Sequence, residues 1–215
     1  MTAVGGVSAR KAFIVGVAGG SASGKSTFVV ALAQALAEGK PPLRAEVVNT
    51  DRYFRQRDPD GPTVALSNGE THFDYNRPDS VDNARLAADL DRLSREAQAP
   101  DVLLVEGLMV LYVPEIRERL DLRLFVELDA DERALRRLLR NLSAKNPVDL
   151  SAGQWIADYY NASARLGHLR YVEPSRVYAD LILRGDADFA RTAAMVAAVV
   201  RSQASPNSAD DRGAA

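Results

Sequence analysis

A glycine-rich segment between an apolar run and an amphipathic stretch constrains this chain more than any other feature. The apolar run covers residues 12–17 and suits a strand that is buried on both faces. After the glycines, Phe28, Leu32 and Leu36 recur every four residues and form one apolar face of a helix, which Gly39 and the prolines after it end. A strand that leads through a tight turn into a helix is the building unit of an α/β domain with a mainly parallel sheet.

The glycine-rich segment matches G-x-x-x-x-G-K-[ST], and it lies between a strand and a helix as a phosphate-binding loop requires. Glycines let backbone N–H groups turn toward phosphate oxygens, and the helix start adds positive potential at the same point. Lys25 adds a full charge, and the hydroxyl of Ser26 suits Mg²⁺. The predicted nucleotide-binding residues of this loop are Gly19, Gly20, Ser21, Ala22, Ser23, Gly24, Lys25, Ser26 and Thr27.

Strands and helices alternate along the rest of the chain. We predict further strands at 44–49, 102–105, 122–128 and 178–183. We predict helices capped by Ser80 or Asp79 and by Asp129 or Asp131, and two more at 149–167 and 187–201. The polar segment 51–78 is predicted to be a loop.

Composition limits the possible partners and the number of domains. A chain of 215 residues with 47% hydrophobic and 26% charged residues is typical of one folded domain, which we place at 11–202 between disordered ends at 1–10 and 203–215. The net charge of -2 gives no overall positive field, so neither a nucleic acid nor a membrane is an expected partner. The chain has no cysteine and no apolar stretch that suits a signal peptide, and we expect a cytoplasmic protein.

Two carboxylates end predicted strands. Asp51 follows the second strand and Glu106 ends the third, so a parallel sheet would bring both to the edge that carries the phosphate loop. Mg²⁺ binding by Ser26, Asp51 and Glu106, with Asp51 near an acceptor hydroxyl, would suit phosphoryl transfer. No N-K-x-D motif occurs, which argues against a guanine-specific G protein. The segment LSAGQ at 150–154 resembles the signature of ABC transporter ATPases, but it follows the acidic strand, whereas in those ATPases the signature precedes it.

Six ordered segments resemble the uridine kinase and phosphoribulokinase family of P-loop kinases. They are GVAGGSASGKST, NTDRYF, YNRPDSVD, VEGLMVLY, DLRLFVELDADERALRRLLRN and EPSRVYADLILRG. The resemblance implies a three-layer α/β/α P-loop fold with a five-stranded, mainly parallel sheet and a small helical lid, with ATP and Mg²⁺ as donor and metal.

The resemblance also implies roles for individual residues. Asp51 is the implied base toward the acceptor hydroxyl, and Lys25 and Glu106 are implied to bind phosphate and Mg²⁺. Arg137 and Arg140 match lid arginines that neutralise phosphates, although a solvated basic helix face is the alternative. Matching acceptor-pocket positions are Phe54, Tyr75, Asn76 and Leu108, with Arg137 facing the same acceptor. Arg184 and Gly185 match a loop near the adenine.

The chain departs from the family pattern around the acceptor. Asn76 stands where the family has an aspartate, and the pyrimidine-reading hairpin before the third strand has no counterpart in 82–102. The family's lid sequence E-R-G-R becomes Ala-Lys-Asn-Pro at 144–147. His72 is a candidate replacement contact, whereas His168, Trp155, Tyr159 and Tyr160 are expected to pack a helix or the lid.

The resulting expectation is a kinase that phosphorylates a primary hydroxyl of a small acceptor, with uridine or cytidine first. Nicotinamide riboside, sugars and sugar acids are alternative acceptors, and a non-catalytic ATP-binding module is an alternative of another class. GTP remains an alternative donor, because the sequence contains no base-specific motif. The family resemblance also leaves a homo-oligomer open.

Overall fold

A five-stranded parallel sheet forms the centre of the molecule. The computed structural model describes residues 11–56, 58–143 and 150–204, so most of the predicted disordered ends and the lid residues 144–147 lie outside the described residues. The strands are β1 (Phe13–Gly19), β2 (Ala45–Asn49), β5 (Val102–Glu106), β6 (Leu122–Glu127) and β7 (Leu181–Arg184). Their order in the sheet is β2-β5-β1-β6-β7, which confirms the predicted fold class.

The sheet register brings three strand ends together. β1 lies between β5 and β6, and the side chains of its buried residues point alternately to the two faces of the sheet. Glu106, the last residue of β5, pairs with Val17 of β1 on one side and with Asn49 of β2 on the other. The carboxyl ends of these strands therefore form one edge, where the phosphate loop begins.

Helices cover both faces of the sheet. The elements α1 (Lys25–Glu38) and α7 (Phe189–Gln203) pack on one face, where Phe28 and Phe189 meet edge to face with ring centroids 5.9 Å apart. The elements α2 (Asn83–Leu93) and α3 (Pro114–Arg117) pack on the other face through residues such as Leu90. No helix in the described ranges has the length and apolar character needed to cross a membrane.

The polar segment after β2 contains more regular structure than predicted. A 3₁₀ turn covers Thr50–Tyr53, and β3 (Thr63–Ala65) pairs antiparallel with β4 (Thr71–Phe73). Gly69 adopts φ +84° in the connection, a conformation that glycine accommodates without strain. The prediction of a loop throughout 51–78 is therefore wrong, because strands of three residues are too short to give a clear alternating pattern.

The predicted cap of α2 is also wrong. Asp82 is the N-cap, and its carboxylate accepts a hydrogen bond from the backbone N–H of Arg85 at 3.0 Å. Ser80 is instead buried in a preceding 3₁₀ turn, where its hydroxyl donates to the carbonyl of Arg77 at 2.6 Å.

The element α4 (Ala130–Ser143) lies over the edge of the sheet that carries the phosphate loop, and α5 (Leu150–Tyr159) packs against α4. A helix was predicted for 149–167, but its regular α-helical part ends at Tyr159. The chain stays helical beyond this point through π-helical turns at 160–164 and 168–172, with the short α6 (Arg165–Gly167) between them. A 3₁₀ helix over Glu173–Tyr178 then delays the start of β7 to Leu181.

Candidate active site

The phosphate loop has the backbone that its glycines predict. Gly19 and Gly24 have φ of +140° and +100°, and Ala22 between them has φ of +64°. Gly24 also leaves room for a neighbour, because a Cβ there would lie 2.8 Å from the ring of Phe189. The loop is therefore held against α7 while its backbone turns around a phosphate-sized concavity at the start of α1.

Lys25 lies within this concavity as a buried amine. Its Nζ donates to the carbonyl oxygen of Gly20 at 2.9 Å. Burial lowers the pKa of Lys25 to about 8, although the carboxylates of Glu106 and Asp51 oppose this shift. The site thus holds a cation that has lost its hydration shell and that the phosphates of a nucleotide would stabilise.

Glu106 is a buried carboxylate with one oxygen engaged by the protein. Its Oε1 accepts a hydrogen bond from Nδ2 of Asn49 at 2.9 Å, while its buried Oε2 has no hydrogen-bond partner among the described residues. An orphaned buried carboxylate oxygen fits a Mg²⁺ ion or a water bound to it. The described residues contain no group of three or more acidic, His or Cys side chains suited to a metal.

Asp51 lies in the 3₁₀ turn that directly follows β2. The turn is capped by Asn49, whose Oδ1 accepts from the backbone N–H of Asp51 at 2.8 Å. Burial raises the pKa of Asp51, while Lys25 and Arg140 act in the opposite direction. A carboxylate with a raised pKa is a better proton acceptor than a fully solvated one.

Helix α4 turns its arginines toward the phosphate loop. The side chain of Arg133 is buried and packs against Gly20. A Cβ added at Gly20 would lie only 2.6 Å from Nη1 of Arg133. Arg137 lies over the ring of Tyr159, and its buried Nε has no partner among the described residues. Arg140 has its Nη2 3.5 Å from the hydroxyl of Ser21. Arg133 is therefore buried and Arg137 is partly buried, whereas Arg140 is exposed, as are Leu135 and Leu139 on the same helix.

These groups line one open cleft of about 640 Å³. Its lining residues are Ser21, Ala22, Gly24, Lys25, Ser26, Thr27, Asn49, Asp51, Phe54, Tyr75, Asn76, Glu106, Gly107, Leu108, Arg136, Arg137 and Arg140. A second, small pocket of about 20 Å³ adjoins it and shares Asp51, Phe54, Tyr75 and Leu108 with the cleft. The remaining lining of this apolar pocket consists of Thr50, Arg77, Pro78, Ser80, Val81, Asn83, Leu86, Met109, Val110 and Ile116.

Asn76 is fixed by a buried hydrogen-bond network. Its Nδ2 donates to the hydroxyl of Ser163 at 2.7 Å and approaches that of Tyr159 at 3.5 Å. The hydroxyl of Ser163 in turn donates to Asp74 at 2.5 Å. Asn76, which stands in place of the family aspartate, thus donates a hydrogen bond to the π-helical segment. An ionised aspartate could not do so, because a carboxylate only accepts.

Other candidate residues do not line the cleft itself. The side chain of Arg184 is exposed and pairs with Asp186 at 2.7 Å, whereas Gly185 packs against the loop, with a would-be Cβ 2.2 Å from the carbonyl of Ser23. His72 contacts Trp155 and pairs with Glu70. Tyr160 and His168 line a small cavity of about 10 Å³ together with Ser21, Arg133 and Arg137.

Sequence reasoning missed Asn49 and Arg136. Arg136 donates to the carbonyl of Gly185 at 3.2 Å, and this contact ties α4 to the loop after β7. The signal for Asn49 was available in its position two residues before Asp51, where Asn side chains commonly accept a backbone N–H.

Comparison with known proteins supports the same fold and identifies the family. The chain matches the model of the phosphoribulokinase / uridine kinase family over residues 14–98 and 87–188. It is 33% identical over 194 residues to a uridine kinase of Chloroflexus aggregans, covering 80% of this chain and 86% of that protein. A uridine kinase of Deinococcus deserti is 34% identical over 192 residues with the same coverage.

A solved structure shows the same fold at lower identity. It is described as a candidate fructose transport system kinase from Silicibacter sp. TM1040, and its TM-score is 0.54 at 22% identity, covering 80% of this chain and 89% of that one. The parallel sheet and its phosphate loop place the protein in the class of P-loop kinases. Within that class, the chain belongs to the phosphoribulokinase and uridine kinase family.

Proposed function

We propose that this kinase transfers the γ-phosphate of ATP, with Mg²⁺, to a primary hydroxyl of a nucleoside. The observation that carries the proposal is the position of Asp51, which lines both the phosphate-loop cleft and the apolar pocket. An acceptor in the part of the cleft lined by Phe54, Tyr75 and Leu108 can present its hydroxyl to Asp51 on the side that faces the phosphates. The relatives named uridine kinase support the same acceptor class.

The apolar residues shared by the cleft and the small pocket favour a nucleoside over a sugar acid. Phe54 and Tyr75 meet edge to face with ring centroids 4.9 Å apart, and Leu108 adds a third apolar side chain, so this part of the cleft suits a heterocycle. A carboxylate acceptor would need a free cation there. Arg77, the arginine of the pocket lining, already donates two hydrogen bonds to Asp79 at 2.9 Å each.

In the proposed reaction, Asp51 accepts the proton of the acceptor hydroxyl as the hydroxyl oxygen attacks the γ-phosphorus and ADP leaves. Lys25, Arg137 and Arg140 neutralise charge on the phosphoryl oxygens. Ser26, Glu106 and Asp51 are the proposed residues that would hold Mg²⁺, which would supply positive charge to neutralise the phosphate oxygens. Tight closure of the loop on the phosphates needs the glycines at 19, 20 and 24.

The experiment measures ADP formation from MgATP with a panel of acceptors and identifies the product by mass. The panel contains uridine, cytidine, adenosine, nicotinamide riboside, ribose, glycerate and pantothenate, and GTP replaces ATP in a parallel series. We expect a nucleoside to stimulate ADP formation most. Stimulation by a sugar or sugar acid alone would contradict the nucleoside proposal, and stimulation by no acceptor despite ATP binding would favour the non-catalytic module.

Asp51→Asn tests the base directly. The amide keeps the size of the side chain but cannot take a proton, so we expect the transfer rate to fall about 10²–10⁴-fold. Nucleotide affinity, measured by fluorescence titration with ADP, should stay close to that of the unmodified protein. Undiminished turnover by the variant would remove Asp51 from this role.

A further inference from the structure

We propose that Asn49 is a positioning residue that holds the base Asp51 and the carboxylate Glu106 in a fixed relation, an inference that rests on the proposed phosphoryl transfer. Asn49 is the last residue of β2 and lies beside Glu106 in the sheet register. Its Nδ2 donates to Oε1 of Glu106 at 2.9 Å, and its Oδ1 accepts from the backbone N–H of Asp51 at 2.8 Å. One amide therefore contacts both acidic residues of the site.

The two partners determine the orientation of this amide. A backbone N–H can only donate, so the oxygen of Asn49 must face Asp51. A carboxylate can only accept, so the nitrogen must face Glu106. A rotated amide would lose both hydrogen bonds at once, and the link is therefore a single structural unit.

Each hydrogen bond has a separate consequence for the chemistry. The bond to Oε1 holds the carboxylate plane of Glu106 and leaves Oε2, which is buried and has no partner among the described residues, as the oxygen that can serve a metal. The bond to the N–H of Asp51 fixes the first turn after β2 and thereby the direction in which the Asp51 side chain leaves the backbone. Outer contacts of this kind typically change metal affinity or activity by about 10–100-fold when removed.

Two substitutions separate these consequences. Asn49→Ala removes both hydrogen bonds, whereas the hydroxyl in Asn49→Ser can still accept from a backbone N–H two residues on but is too short to reach Glu106. We expect Asn49→Ala to lower kcat by about 10–100-fold with little change in the acceptor KM. Asn49→Ser should recover part of kcat, while the Mg²⁺ concentration for half-maximal rate stays raised in both variants.

A binding measurement tests the same inference without turnover. Calorimetry gives the dissociation constant of a non-hydrolysable ATP analogue, first with EDTA and then with Mg²⁺. We expect both variants to bind the metal-free analogue like the unmodified protein and to gain less affinity when Mg²⁺ is added. Equal losses with and without Mg²⁺ would indicate a merely structural role and would overturn the inference, as would a kcat and a Mg²⁺ response that match the unmodified protein.

Ser94→Ala is the matched control. Ser94 is a fully buried polar residue at the opposite edge of the sheet, and its hydroxyl donates to the carbonyl of Asp91 at 3.2 Å. This variant loses a hydrogen bond without touching the cleft, so its Mg²⁺ response should be normal. If the unmodified protein phosphorylates no acceptor, the proposed reaction fails, and the calorimetry still decides whether Asn49 supports the metal-binding carboxylate.

Discussion

Lys25 is the residue whose charge depends most clearly on its surroundings. Its pKa is lowered to about 8 by burial, so the free protein carries the positive charge below this pH and loses it as the pH rises through this value. A bound nucleotide favours the charged amine. Nucleotide binding above about pH 8 must therefore take up a proton, which weakens the affinity by up to about tenfold per pH unit.

Calorimetry with ADP in metal-free buffers of different ionisation enthalpy measures this uptake. The number of protons taken up should rise from near zero at about pH 7 toward one above about pH 9. Lys25→Met should bind ADP more weakly and without this pH dependence, because it has no amine to titrate. An affinity of the unmodified protein that stays constant across the range would show that the buried amine keeps its charge.

The sequence predicted the residues whose function depends on local spacing. Lys25 and Ser26 follow from the loop motif alone, and Asp51 and Glu106 follow from their positions at strand ends. Asn49 was not predicted because its contact with Glu106 joins residues 57 positions apart and exists only through the register of β2 with β5. A pattern along the chain does not specify such a register.

At the scale of elements, α4 shows what periodicity alone leaves open. Its leucines and arginines fall on opposite faces, and either face could have packed inward. In the structure, Leu135 and Leu139 are 62% and 65% exposed, while Arg133 is 6% exposed. The carbonyls of Leu128 and Gly185 accept hydrogen bonds from Arg133 and Arg136, so backbone groups of neighbouring loops stabilise the inward arginines.

The hairpin β3–β4 contacts α5 through the buried hydroxyl of Tyr159, through the ring contact of His72 with Trp155, and through an exposed carboxylate contact at the hairpin connection. The buried hydroxyl of Tyr159 donates to the carbonyl of Phe73 at 3.0 Å and accepts from the N–H of Tyr75 at 3.1 Å. Tyr159→Phe keeps the ring but leaves these two backbone groups without that partner. We expect the free energy of unfolding in urea to fall by about 1–3 kcal/mol.

The exposed contact supplies the control for this prediction. Asp158 accepts hydrogen bonds from the backbone N–H and the hydroxyl of Ser67 at 2.9 and 2.6 Å. This contact joins the same two elements, but water competes with it because it is exposed. We therefore expect Asp158→Ala to lower the free energy of unfolding by less than about 1 kcal/mol. Similar losses for both variants would contradict the assignment of Tyr159 as the principal link between hairpin and helix.

At the scale of the whole molecule, the site depends on elements from both sides of the sheet. The five parallel strands were predicted, but their order was not, because it arises from which strands pair across the sheet. That order places β1 and its loop at the centre, between β5 with Glu106 and β6, which leads into the arginines of α4. Phosphates bound at the loop would therefore contact elements that pack into both core clusters.

Nucleotide binding is accordingly expected to stabilise the folded chain as a unit. A ligand that binds only the folded state contributes about 2.7 kcal/mol at a concentration 100 times its Kd. For a domain of this size, 1 kcal/mol raises Tm by about 2–4 °C, so MgADP at that concentration should raise Tm by about 5–11 °C in a calorimetric scan. Ser94→Ala should show the same rise from a lower starting Tm, because its lost hydrogen bond lies at the other edge of the sheet. Lys25→Met at the same nucleotide concentration should show a much smaller rise, and a rise equal to that of the unmodified protein would place the bound phosphates away from the loop.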